Sequence, residues 1–94
     1  MNKADVVSRV AEKCGMSNKE AKVAVNAVLD TIKEGVTSGE GVFLVGFGSM
    51  SVLHKNARMG RNPQTGKTLK IPAKNVVKFK PSKAMADAVL DLKL

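Results

Sequence analysis

Apolar residues recur at helical spacing through the first third of the chain. Val6, Val7, Val10, Ala11 and Cys14 fall on one face of a helix. Asn2 is suited to cap its start, Asp5 favours its first turn, and Gly15 suits the position just past its end. A second helix begins at Ser17-Asn18-Lys19-Glu20, where Ser17 and Glu20 can satisfy each other's free amides, with Met16 packing before them. It runs to about Thr37, and Gly39 stops it. Ala21, Ala24, Val25, Val28, Leu29, Ile32 and Val36 make a wide apolar stripe, while Lys22, Asn26, Asp30 and Lys33 hold the far side. Val23 and Ala27 lie off the stripe, which points to a second contact. Residues 1–40 thus read as a helical hairpin.

The period then changes. Val42-Phe43-Leu44-Val45 reads as a short buried strand, and Gly46-Phe47-Gly48 as a tight bend whose glycines permit a bulge or, alternatively, let a phosphate approach the backbone. Met50 and Val52 alternate with Ser49 and Ser51. Later, Val76-Val77-Lys78-Phe79-Lys80 alternates again, with Val77 and Phe79 expected inward and Lys78 and Lys80 outward. Pro81 ends that strand, and Ser82 caps a final helix over 82–94 with Met85, Ala88, Val89 and Leu92 on one face. Between these strands lies a run with almost no apolar content, Asn56 to Pro72. So long a stretch inside a small domain calls for a function. Asn62-Pro63 followed by Gly66 is turn chemistry. Ser49–Lys55 before it and Thr68–Ile71 after it can pair. The expected element is two long antiparallel strands closing in a proline-tipped turn, an arm over about 55–72 within a sheet region 41–81.

Charge sharpens this picture. The 94 residues carry a net charge of +8, with a pI near 9.9. Residues 1–40 hold six Lys/Arg and six Asp/Glu; residues 41–86 hold nine Lys/Arg and no acid; residues 87–94 hold one Lys and two Asp. A solvated face would mix its signs, so nine cations with no acid mark a polyanion-binding surface. With an arm removed, fewer than eighty residues, three of them Phe and none Trp or Tyr, remain to build a core. Such a core is marginal alone, so an oligomer that shares its core between chains is expected.

The run Gly46-Phe47-Gly48-Ser49-Met50, continuing through Lys55, Arg58 and Gly60 to Arg61-Asn62-Pro63-Gln64-Thr65-Gly66, resembles the bacterial HU and integration host factor proteins. The likeness covers nearly the whole chain and stands closest to HU. It implies an α+β fold: an N-terminal helical hairpin, a three-stranded antiparallel sheet extended into a β-ribbon arm, and a short C-terminal helix. It also implies one DNA-binding domain over 1–94 and an intertwined homodimer, or a heterodimer with a paralogue. The arm contacts of that family fall on Lys55, Arg58, Arg61, Asn62, Gln64, Lys67 and Lys70, and its minor-groove wedge on Pro63. Lys3, Lys74, Lys80 and Lys83 would guide DNA along the body. Lys55 stands where arginine is common, which weakens any bidentate contact there.

Other chemistries fit poorly. Gly60 to Thr68 nearly matches a P-loop, but has one residue too many and leads into a strand ending at Pro72 rather than into a helix. One cysteine and one histidine, Cys14 and His54, cannot make a zinc site or a disulfide, so no metal or cofactor is expected. Cys14 reads as a small buried hydrophobe and His54 as a surface strand residue. No carboxylate between 41 and 86 is available for acid–base work, so no enzyme and no small-molecule substrate are expected. A second helix with balanced charge argues against a major-groove reader. Single-strand binding would want aromatic platforms, and a membrane role a basic amphipathic helix. The expected partner is double-stranded DNA, and the expected place is the cytoplasm, on the nucleoid. Bending and compaction without sequence preference is the leading expectation; a site-specific bending factor of the integration host factor type is the alternative.

Overall fold

The computed structural model describes residues 1–93. Its elements follow in the order α1 (Lys3–Cys14), α2 (Asn18–Thr37), β1 (Val42–Leu44), β2 (Gly48–Lys55), β3 (Arg58–Arg61), β4 (Thr68–Ile71), β5 (Lys74–Pro81) and α3 (Lys83–Ala88). They form two units, Met1–Gly35 and Val36–Leu94.

In the first unit both helix starts are built as the sequence implies. The Asn2 side chain accepts from the Asp5 amide, and Asp5 accepts from the Asn2 amide, each at 2.9 Å. Ser17 and Glu20 repeat the exchange at 3.1 and 3.3 Å. Gly15 ends α1 in the left-handed conformation, which only glycine enters without strain. Val7, Ala11, Ala21 and Val25 form a small buried cluster with Val10 and Met16 against it. Of the rest of the expected stripe, Val36 is buried and Ala24 and Ile32 are half-buried, but its middle is open. Val28 is 58% exposed and Leu29 also faces water, as does Val23 off the stripe. Cys14 is exposed as well, contrary to its reading as a buried hydrophobe. It is the last residue of α1, one turn beyond Ala11, where the cluster ends.

In the second unit β1, β2 and β5 form an antiparallel sheet in that order, and β3 and β4 form a separate two-stranded ribbon. A turn links β1 to β2 through a bond from the Phe47 amide to the Leu44 carbonyl. Phe47 then meets Phe79 edge to face, with ring centroids 5.8 Å apart. Here the sequence expectations need correction. The strand expected over 42–45 ends at Leu44 and is not buried: Phe43 is 74% exposed and Val45 fully so. Val77 and Phe79 do share a face, with Val52 and Met50 as their cross-strand partners, but that face is open, Val77 being 65% exposed. Alternation identifies a face that wants covering; one chain does not supply the cover. The last helix stops at Ala88, and Val89 and Leu92 lie beyond it, exposed, in turns. Of the expected span 82–94, Leu94 lies outside the described residues.

The arm differs in two respects. Thr68–Ile71 pairs with Arg58–Arg61 and not with Ser49–Lys55, which pairs with β5, because the strand before the turn resumes at Arg58. Its strands are not continuous: Asn56-Ala57 and Pro72-Ala73 belong to no strand. Pro72 has no amide to donate, so the ladder cannot run through it. The register nevertheless survives. Lys55 pairs with Lys74 and Arg58 with Ile71, so each strand advances by three residues across the interruption.

Candidate nucleic-acid interface

The tip of the ribbon is held by its own short bonds. The Asn62 amide donates to the Lys67 carbonyl, and the Gly66 amide to the Asn62 carbonyl, both at 2.8 Å. The Asn62 side-chain oxygen accepts the Gln64 amide at 2.9 Å, and the Thr65 hydroxyl accepts the Lys67 amide at 3.3 Å. Asparagine before proline thus makes a local turn with its own backbone, and Gly66 takes the positive φ of 70° that the exit needs. Pro63 stands exposed at the end of this braced loop. A rigid apolar ring is presented on a turn whose Asn62, Gln64 and Gly66 amides are already bonded.

Below the tip, β3 and β4 sort the cations by face. Met59 pairs with Lys70 and Arg61 with Thr68, so these four side chains share one face. Arg58 pairs with Ile71 and Gly60 with Leu69 on the other. Gly60 leaves room there for Ile71: a Cβ would stand 2.8 Å from Ile71 Cδ1, the far end of a side chain that can turn aside. At the interruption, Lys55, Asn56, Arg58, Ile71 and Pro72 surround a recess of about 340 Å³. Two cations therefore border one notch at the base of the ribbon.

The sheet continues the charge. Lys55 and Lys74 are directly paired, and Lys80 lies on the same face, opposite Ser49. Lys78, opposite Ser51, belongs to this row too. It was absent from the site residues drawn from the sequence, although its parity with Lys80 was the available signal. Lys83 opens α3, just after the row ends. All nine cations of residues 41–86 are exposed. On the opposite face, His54 Nδ1 lies 2.7 Å from Asn75 Oδ1, which ties β2 to β5 near the base of the arm. Thus Lys55, Arg58, Arg61, Asn62, Pro63, Gln64, Lys67, Lys70, Lys74, Lys80 and Lys83 are gathered in the second unit. Lys3 belongs to the first unit, at the start of α1, where it lines a groove with Lys19 and Lys22.

Comparison with known proteins agrees with this arrangement. The family model described as bacterial DNA-binding protein matches residues 1–90. DNA-binding protein HU of Geobacillus stearothermophilus is 51% identical over 89 residues, covering 95% of this chain and 99% of its own. DNA-binding protein HU of Staphylococcus aureus is 49% identical with the same coverage. Among solved structures, an Anabaena HU–DNA cocrystal structure superposes with a TM-score of 0.84 at 43% identity, covering 97% of this chain and 99% of that one. HU from Thermotoga maritima superposes with a TM-score of 0.67 at 35% identity, covering 95% and 98%. A cationic two-stranded arm with a proline tip, on a chain half identical to HU proteins from end to end, places this protein in the bacterial DNA-binding protein family to which those HU proteins belong.

Proposed function

We propose that this protein binds double-stranded DNA without regard to sequence and bends it, two chains acting together with their arms in the minor groove. The reading rests above all on the acid-free cationic face that runs from the Lys55–Lys74 pair through Lys78 and Lys80, and continues along the ribbon to Pro63. Phosphate contacts fix position and carry affinity but no sequence information. At the tip, Asn62 spends its side-chain oxygen on the Gln64 amide. That favours a non-specific architectural role over a site-specific one, as does the kinship with HU proteins.

Within this reading Lys55, Arg58, Arg61, Gln64, Lys67 and Lys70 contact phosphate and groove. Lys74, Lys78, Lys80, Lys83 and Lys3 guide the flanking duplex. Pro63 inserts at a base step and kinks it, and the wrapped contacts repay the lost stacking. The exposed apolar faces, Val28 and Leu29 on α2 and Val77 and Phe79 on the sheet, are covered by a second copy. The protein acts as a binding scaffold rather than a catalyst and works on the nucleoid in the cytoplasm. Among the described residues no helix is long and apolar enough to cross a membrane.

The direct test is competition between random-sequence and selected duplexes, read together with bending by end-to-end energy transfer. Equal competition with a clear bend is expected. A strong preference for one selected sequence would replace this reading with the site-specific one.

A further inference from the structure

We propose that Met59 is a second apolar DNA contact of the arm, resting against the sugars that line the groove while the cations beside it meet the phosphates. The inference rests on the duplex-binding reading above and adds a residue to it. Single exposed apolar side chains are ordinary on protein surfaces, but Met59 stands in an unusual setting. Its side chain is 67% exposed on a ribbon whose other apolar residues are better placed. Leu69 and Ile71 lie together on the opposite face, and Ile71 rests across Gly60. Met59 has no such cover on its own face: its cross-strand partner is Lys70, and the next pair along is Arg61 with Thr68.

The surroundings select the occupant. A second arm would bring Arg61 and Lys70 of another chain against these same cations, and repulsion opposes that. A minor groove offers the complement: two rows of phosphates at the spacing of a narrow ribbon, and walls lined by the apolar faces of the sugars between them. Methionine suits such a wall because its unbranched, polarisable thioether adapts to an irregular surface without a fixed shape. No base-specific hydrogen bond is involved, so the contact adds affinity without adding sequence preference.

The unaltered protein provides the first test. Hydrogen peroxide transfers one oxygen to the methionine sulfur, its O–O bond breaks, and water leaves. The rate at Met59 is followed by mass spectrometry of digested protein, with free methionine in the same tube as the reference. Saturating duplex should slow oxidation of Met59 severalfold and leave the reference unchanged. Equal rates at Met59 with and without bound duplex would overturn the contact while leaving DNA binding intact. Absence of any shifted complex in a parallel gel would overturn the function reading and this inference together. A second test uses Met59→Gln, which keeps length and removes the thioether. Affinity for intact duplex should fall by about tenfold, the order expected for losing a mostly buried methionine contact, with the salt slope unchanged. Arg61→Ala should instead reduce the slope. Parental affinity in Met59→Gln would also overturn the proposal.

Discussion

The hydroxyl of Ser82 donates to the carbonyl of Gly46 at 3.0 Å, bridging 36 residues of chain, and accepts the Met85 amide at 3.2 Å. The Ser82 amide adds a bond to the Phe47 carbonyl at 2.9 Å. One residue therefore caps α3 and pins it to the turn between β1 and β2. Replacing a capping serine by alanine costs about 1 kcal/mol on average. Ser82→Ala should exceed that, at about 2 kcal/mol, because the Gly46 carbonyl also loses its donor. Urea unfolding should show a lower midpoint at unchanged slope.

Two glycines should respond differently to the same change. A Cβ at Gly48 would stand 2.7 Å from the Lys80 carbonyl oxygen, which is backbone and cannot turn aside. Gly48→Ala should cost about 1–3 kcal/mol, as overpacking does. At Gly60 the obstacle is the terminal methyl of Ile71, which can rotate. The strand also gains roughly 0.5–1 kcal/mol from losing a glycine, so Gly60→Ala should be near neutral. Thermal unfolding of the two variants side by side measures the contrast.

Assembly is tested at Val28. In the single chain this side chain is more than half exposed, so Val28→Asp should do little to an isolated helix. Between chains it would bury an unpaired charge. Sedimentation at micromolar concentration should give twice the chain mass for the parent, and a monomer with lost thermal cooperativity for the variant. A folded parental monomer would refute the shared core.

Salt provides the electrostatic measure. If a dimer neutralises six to ten phosphates, affinity should fall roughly 10³–10⁵-fold between 50 and 200 mM salt. A flat response would mean that the cationic row of β2 and β5 does not meet the backbone.

Pro63 is separable from the charges. Pro63→Ala leaves every cation in place, and the Asn62 side chain can still brace the turn through the Gln64 amide. Affinity for pre-nicked duplex, which kinks cheaply, should hold, while bending of intact duplex should fall with its affinity. Equal bending by both proteins would reduce Pro63 to a turn former.

Much of this was legible in the sequence because it is local. Ser17 with Glu20, Asn2 with Asp5, and Gly66 after Asn62-Pro63 each carry their bonding partner within a few residues. The cationic site was legible because nine cations had no acid among them. What was not legible depends on distance or on a second chain. Alternation at Val77 and Phe79 identifies an apolar face but not what lies against it, and the same holds for Phe43 and Val45. Cys14 matched the helical spacing, yet the cluster ends a turn earlier at Ala11. The interruption of the arm required knowing that Ala57 and Pro72 stand opposite each other, which only the register shows.

That interruption has a mechanical consequence. Pairing is lost on both strands at one level, while intact ladders with a common register lie on either side. Sliding one strand past the other would break both ladders, so shear is blocked. Rotation about the unpaired level breaks nothing, so it is the soft direction. The arm then behaves as a lever on a single hinge: its length from Arg58 to Pro63 stays constant while its angle can change.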